Sequence, residues 1–249
     1  MRNSLSRIYA LSKRNAKEIV RDPLSLIFMI GLPFFMEILF YLLFHKLTDQ
    51  FQMKYLAPGI VVFSQAFLSL FTGQLIALDR SSSLLTRLYV SRATSVEFIL
   101  SYALPILPLT LLQSVLFFLV GGIVDTGLFG WRMPLAILFS LITSLFFIGM
   151  GILFGSLCTE KSIGGIASIL VACQSLLSGM WFPIEGLGDG MLALMNALPF
   201  RNATQLVQNT VLGFGDAWGD FLRPLLILLA YSLAAFVSAV LVFRKKMKR

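Results

Sequence analysis

The chain is poor in the residues that do chemistry in water. Its single histidine, His45, ends an apolar run with no acid–base partner in the pattern around it, and reads as a headgroup-level side chain. Its two cysteines, Cys158 and Cys173, lie in or beside apolar runs, which rules against a disulfide framework and supplies no metal-ligand spacing. No glycine-rich loop ends in Lys-Ser or Lys-Thr, so no ATP, Mg or other cofactor is expected to bind this chain itself. Charge is scarce as well: 13% of residues are Asp, Glu, Lys or Arg, against roughly 25% in an average soluble protein. The first twenty or so residues are polar and basic, unlike a cleavable signal peptide, whose apolar core comes sooner and is shorter.

What fills the 249 residues is apolar: 57% are hydrophobic, with a mean hydropathy of +0.86. They lie in long runs, the signature of an integral membrane protein. The net charge of +8 could suggest nucleic acid, but the bases flank the apolar runs, so they read as topology signals and no nucleic-acid partner is expected.

Six helical spans are predicted, at about 24–44, 55–78, 98–123, 134–157, 162–182 and 222–243. At a rise of about 1.5 Å per residue each can cross a hydrocarbon core of roughly 30 Å. Before them, residues 4–21 place Leu5, Ile8, Tyr9, Ala16, Ile19 and Val20 on one helical arc. Arg7, Lys13, Arg14, Lys17 and Arg21 share the opposite arc, with Leu11 as the exception. That is the pattern of a helix lying in the membrane interface. Asp22-Pro23 opens the first span, with Pro where a helix tolerates it. Pro58, Pro134 and Pro224 stand at span starts, and Pro33, Pro105 and Pro108 are placed to kink spans one and three.

Six spans put both termini on one side. That side carries fifteen of the twenty Lys and Arg residues, including Arg80, Arg87, Arg92 and Lys161; it is therefore cytoplasmic, and the protein a multi-pass protein of the plasma or inner membrane. The cytoplasmic loop 79–96 holds Leu84, Leu85, Leu88 and Tyr89 at helical spacing among the arginines, an amphipathic helix with an apolar side to offer. On the other side, 183–221 contains two apolar pieces, 190–199 and 203–212, too short to span, which suggest a pair of helices dipping into the outer leaflet. Asn202-Ala203-Thr204 is a glycosylation triplet there, meaningful only in a eukaryote. The whole chain, 1–249, reads as one transmembrane domain.

Polar residues inside the spans mark protein-facing sides. Gln65, Ser69 and Thr72 share a face of span two, and Ser168, Ala172, Ser175 and Gly179 a face of span five, as expected inside a bundle or at a dimer seam. Gly151-x-x-x-Gly155 is a close-packing pattern. Glu37 stands inside span one, where an ionised side chain costs at least about 2.5 kcal/mol. It either lines a substrate path or carries protons, or it forms a structural hydrogen bond with Gln65, Gln74 or Gln113.

Taken together, Arg21-Asp22-Pro23 before a span with Leu32-Pro33, the loop 79–92, and Ser178-Gly179-Met180-Trp181-Phe182-Pro183 followed by Leu198-Pro199 resemble the type 2 exporter permeases of ATP-binding-cassette (ABC) transporters. In the loop, Asp79, Arg80, Leu85, Arg87, Leu88 and Ser91 fit that family's pattern, while Ser83, Leu84 and Arg92 replace its usual Gly, Thr and Pro. Tyr102 stands where a Lys is common, and Gln208 where many members have Arg. The resemblance implies an all-α, type V exporter-like fold: six spans, an N-terminal interfacial amphipathic helix and a re-entrant outer hairpin between spans five and six. It also implies a second permease and separate nucleotide-binding ATPase subunits that carry ATP and Mg. Arg14, Lys17, Arg80, Leu84, Leu85, Arg87, Leu88 and Tyr89 would then meet the ATPase, and Glu37, Gln65, Ser69, Thr72, Ser175 and Gly179 would line the substrate path or dimer seam. Expected substrates are amphipathic drugs, lipids or natural products. Two rivals stay open: a proton-coupled carrier or intramembrane enzyme using Glu37, and a membrane scaffold whose loop meets only lipid.

Overall fold

The computed structural model describes residues 2–81, 94–182, 184 and 186–247, and every regular element among them is helical. Helix α1, Arg2–Arg21, ends one residue before Asp22, whose carboxylate accepts from Ser25 N at 3.1 Å and from Ser25 Oγ. That cap and Pro23 in the first turn start α2, Pro23–Phe44. Then come α3 (Met53–Ser81), α4 (Ser95–Val124), α5 (Arg132–Leu157), α6 (Glu160–Leu177), the short α7 (Asp189–Ala197) and α8 (Pro199–Leu212), and α9 (Arg223–Met247).

Among the described residues, five segments are long and apolar enough to cross a membrane: α2, α3, α4, α5 and Ala217–Lys245, which joins a π-helical turn to α9. Helix α6 is not among them. It stops at Leu177, short of the expected 182, because Gly179 takes φ +72° and the chain folds back. Trp181 Nε1 then donates to Ser175 Oγ at 2.8 Å, and its ring packs on Phe40, Phe51 and Phe63. The second apolar piece beyond also starts earlier than expected, at Pro199, whose fixed φ suits a first helical turn.

Helix α3 is the axis of the bundle: 72% of its most apolar window is buried, against 17% for α2. Its closest neighbour is α5, and glycines make the approach possible. A Cβ on Gly151 would sit 2.5 Å from Ser69 O, and one on Gly155 2.6 Å from Gly73 O. Helix α2, largely apolar yet little buried, exposes Leu24, Ile27, Phe28, Phe35, Leu42 and Leu43, as a lipid-facing helix does.

Two prolines that break the helical hydrogen-bond ladder are repaired from neighbouring helices. Pro33 has no N–H for Met29 O four residues back, the chain widens into a π turn at Ile27–Gly31, and Gln113 Nε2 of α4 donates to Met29 O at 2.9 Å. Pro105 likewise cannot serve Ser101 O, and Asn15 Nδ2 of α1 donates to it at 3.0 Å. Each repair ties two helices together.

Helix α1 forms over the expected residues, but its contact face differs from the expected arcs. Leu5, Tyr9 and Val20 of the apolar arc are exposed, while Leu11, the sequence-level exception, and Ile19 pack on the bundle. Arg7 and Arg14, placed on the polar arc, turn inward. The reason lies outside α1: two buried carboxylates, on α3 and α4, require cations.

Candidate functional site

The first of those carboxylates is Asp79, 1% exposed at the end of α3. Arg14 reaches it in two-pronged fashion, with Nη2 donating to Oδ1 at 2.5 Å and Nη1 to Oδ2. Tyr102 OH of α4 donates to Oδ2 at 2.7 Å. Glu18, one turn along α1, pairs with Arg14 Nη2 at 2.5 Å. The hydrogen bond to Asp79 holds the Arg14 guanidinium even more firmly protonated than usual. Bidentate geometry of this kind is what arginine supplies and lysine does not.

The second is Glu97, in the first turn of α4. Arg7 donates to it through Nε at 3.1 Å and Nη2 at 2.6 Å, and Ser4 Oγ bonds the same carboxylate. Glu97 also closes a capping box, accepting from Thr94 N at 3.1 Å while Thr94 Oγ1 accepts from Glu97 N at 3.3 Å. Beside Asp79, Arg80 Nη1 donates to the carbonyls of Gly155, Ser156 and Cys158 at 3.0, 2.8 and 2.9 Å, satisfying the carbonyl end of α5.

These contacts converge on one piece of chain. The segment 82–93 enters from Asp79-Arg80 and leaves at Thr94–Glu97, and α1 clasps both ends through Arg14 and Arg7. Leu84, Leu85, Arg87, Leu88 and Tyr89, the apolar and basic face expected of the segment, lie outside the described residues. Lys17 is exposed on α1.

The remaining candidate residues do not form one site. Gln65, Ser69 and Thr72 are buried between α3 and α5. There Gln65 Nε2 donates to Ser140 O at 2.8 Å, and Gln65 Oε1 accepts from Thr143 Oγ1 at 2.7 Å. Ser175 and Gly179 sit at the far end of the bundle, the first accepting from Trp181 and the second, through its carbonyl, from Gln50 Nε2 at 2.8 Å. Ser168 and Ala172, on the same side of α6, are exposed.

Glu37 is fully buried, and its two oxygens have no hydrogen-bond partner among the described residues. The structural bond with Gln65, Gln74 or Gln113, one of the alternatives left open for it, is not made: Gln65 serves α5, Gln113 serves Met29, and Gln74 is exposed. Glu37 Oε1 instead faces Gly121, where a Cβ would stand 3.6 Å away. Asn202 of the glycosylation triplet is 2% exposed, its Nδ2 donating to Asn196 O at 2.9 Å and Leu198 O at 2.6 Å. Cys158 and Cys173 are free thiols.

Arg7, Asn15 and Glu97 are the residues that sequence reasoning missed. An acid three residues after Thr94 was a visible helix-start signal, but nothing local paired it with Arg7, 90 positions away.

Comparison with known proteins identifies a family. The family model described as ABC-2 type transporter matches residues 6–212. A Bacillus subtilis (strain 168) protein named "Putative transport permease YvfS" is 27% identical over 136 residues, covering 54% of this chain and 54% of that protein. The match thus spans about half the length of that curated relative. With five helices among the described residues long and apolar enough to cross a membrane, and a family match over most of its length, the chain is a multi-pass membrane protein belonging to the ABC-2 type transporter family.

Proposed function

We propose that the chain is the membrane-spanning permease subunit of an ATP-driven exporter of an amphipathic drug-, lipid- or natural-product-like substrate. It works beside a second permease, identical or related, and is powered by separate ATPase subunits that bind ATP and Mg. The observation that supports this most is the double clasp of α1 on the two ends of 82–93. A segment that only rested on lipid would not need two buried carboxylates, each bonded to an arginine, at its roots.

In this reading α6, whose 18 residues span about 27 Å at about 1.5 Å per residue, is a sixth crossing that ends at the Gly179 turn, and both termini lie in the cytoplasm of the cell membrane. Helix α1 lies in the interface with Leu5, Tyr9 and Val20 toward lipid. Helices α7 and α8, of 9 and 14 residues, form a re-entrant outer hairpin; at about 1.5 Å per residue neither reaches across roughly 30 Å. ATPase closure presses on Leu84, Leu85, Arg87, Leu88 and Tyr89, and Arg14 and Arg80 carry the motion into the bundle. The energetic requirement is two cavity shapes of different substrate affinity.

The test is co-purification with candidate ATPase subunits and measurement of substrate-stimulated, vanadate-sensitive hydrolysis. Leu85→Asp with Leu88→Asp should abolish stimulation while membrane insertion persists; normal pairing in that variant removes the segment from docking. A second reading, a proton-coupled carrier or intramembrane enzyme, is favoured by one observation, the unpartnered Glu37. It requires activity without any ATPase, lost in Glu37→Gln.

A further inference from the structure

A cavity of about 830 Å³ opens at the α1 end of the bundle, between α1, the first turns of α2 and the last turns of α3. It is large enough for a small organic ligand, for which pockets of roughly 300–1,000 Å³ are usual. One wall is apolar, made by Leu26 and Met29 of α2 and Phe71, Leu75 and Leu78 of α3. The rim is charged, and its charges are unequal in what they have left to give.

Each acid on the rim already has a task within the chain. Asp22 caps α2, Glu18 pairs with Arg14, and Glu160 lies in the first turn of α6, where a carboxylate suits the helix dipole. Of the bases, Arg14 is spent on Asp79 and Glu18. Lys13, Lys17 and Arg21 are exposed on the rim and form no ion pair among the described residues. Lys13, Lys17 and Arg21 are therefore the cations over the apolar wall that have no carboxylate partner among the described residues.

The wall itself is built around an irregularity. The π turn Ile27–Gly31 places Met29 at the cavity, and the carbonyl of Met29 is held by Gln113 from the other side. Single π turns inside helices recur at functional sites because they reshape a helix face locally.

We infer that this cavity binds an anionic amphiphile: a phosphate or carboxylate headgroup at Lys13, Lys17 and Arg21, with its apolar tail along Leu26, Met29, Phe71, Leu75 and Leu78. The site is separate from the buried polar seam between α3 and α5 and from Glu37. Two sources carry this chemistry, a bilayer phospholipid and an exported cargo.

The test uses the full chain in phosphatidylcholine nanodiscs and two fluorescent probes with the same tail, a monoacylglycerol phosphate and its uncharged monoacylglycerol counterpart. The phosphate probe should bind the more tightly. Lys13→Gln with Arg21→Gln should shrink that preference by about fivefold for each charge removed, and both residues are exposed, so folding is not at stake. Leu75→Trp, which fills the cavity, should weaken both probes. Equal affinity of the two probes, or binding untouched by Leu75→Trp and by the charge variants alike, overturns the assignment. Adding ATPase subunits with ATP and vanadate distinguishes the sources, since a cargo is released and a resident lipid is retained; the site stands in both cases.

Discussion

Asn15 offers the sharpest test of how α1 is held. Its side chain is 2% exposed and donates to Ser101 O, the carbonyl that Pro105 cannot serve. Its own Oδ1 accepts from Arg14 Nη1 at 3.0 Å. Asn15→Leu keeps the volume close and removes both bonds. Leaving the buried carbonyl without its donor costs about 1–3 kcal/mol, and losing the bond from Arg14, which retains Asp79 and Glu18, about 1 kcal/mol more. The variant should therefore be about 2–4 kcal/mol less stable, more than a tenfold rise in the unfolded fraction at equilibrium.

The carbonyl part of that cost is recoverable. Pro105→Ala returns an N–H four residues after Ser101, so the helix can close its own ladder. In the Pro105→Ala background, Asn15→Leu should cost about 1–2 kcal/mol less than in the wild type, a coupling that a double-mutant cycle measures directly. The assay is equilibrium unfolding of the four proteins in mixed micelles, followed by helical circular dichroism. Additive effects within about 0.5 kcal/mol would show that Asn15 acts through packing alone and refute the proline-repair argument.

Three further expectations use other parts of the structure. Asp79→Ala takes away an acceptor of the Tyr102 hydroxyl and a two-pronged partner of Arg14. It should destabilise by about 2–3 kcal/mol, discounted because the Arg14 side chain is 34% exposed and keeps Glu18; a loss below about 0.5 kcal/mol in the same unfolding assay contradicts it. Gly155→Ala drives a Cβ to 2.6 Å from Gly73 O and should cost about 1–3 kcal/mol. Gly165→Ala meets nothing within 4 Å and should be neutral or gain up to about 1 kcal/mol from helix propensity; similar thermal midpoints for these two variants would deny the glycine contact. Glu37→Gln keeps the buried shape and removes the ionisable group, so ATPase-coupled transport in reconstituted vesicles should survive within about twofold, and its loss would move the function to the carrier reading.

The amino-acid sequence by itself determined the class of the protein. Long apolar runs and scarce charge leave only a membrane for a solvent, and lysine and arginine placement between the runs fixes an expected orientation, because both effects are local sums over the chain. Asp22-Pro23 marked a helix start for the same reason: a cap acts within a single turn. The Gly151-x-x-x-Gly155 pattern announced a close approach, though not that Ser69 and Gly73 of α3 would meet it.

Only the tertiary structure decided the partners. Arg7 with Glu97, Arg14 with Asp79 and Asn15 with Ser101 are 90, 65 and 86 positions apart, and no periodicity within α1 records them. A helical wheel sorted Arg7 and Arg14 onto a solvated arc because it counts polarity and cannot see a buried carboxylate on another helix. The early end of α6 at Leu177 was hidden too, since its composition stays apolar past the turn that Gly179 makes. Glu37 shows the converse. Three glutamines on nearby spans were chemically suitable for it, but packing directed two of them to other helices and left the third exposed, so the carboxylate faces Gly121 instead.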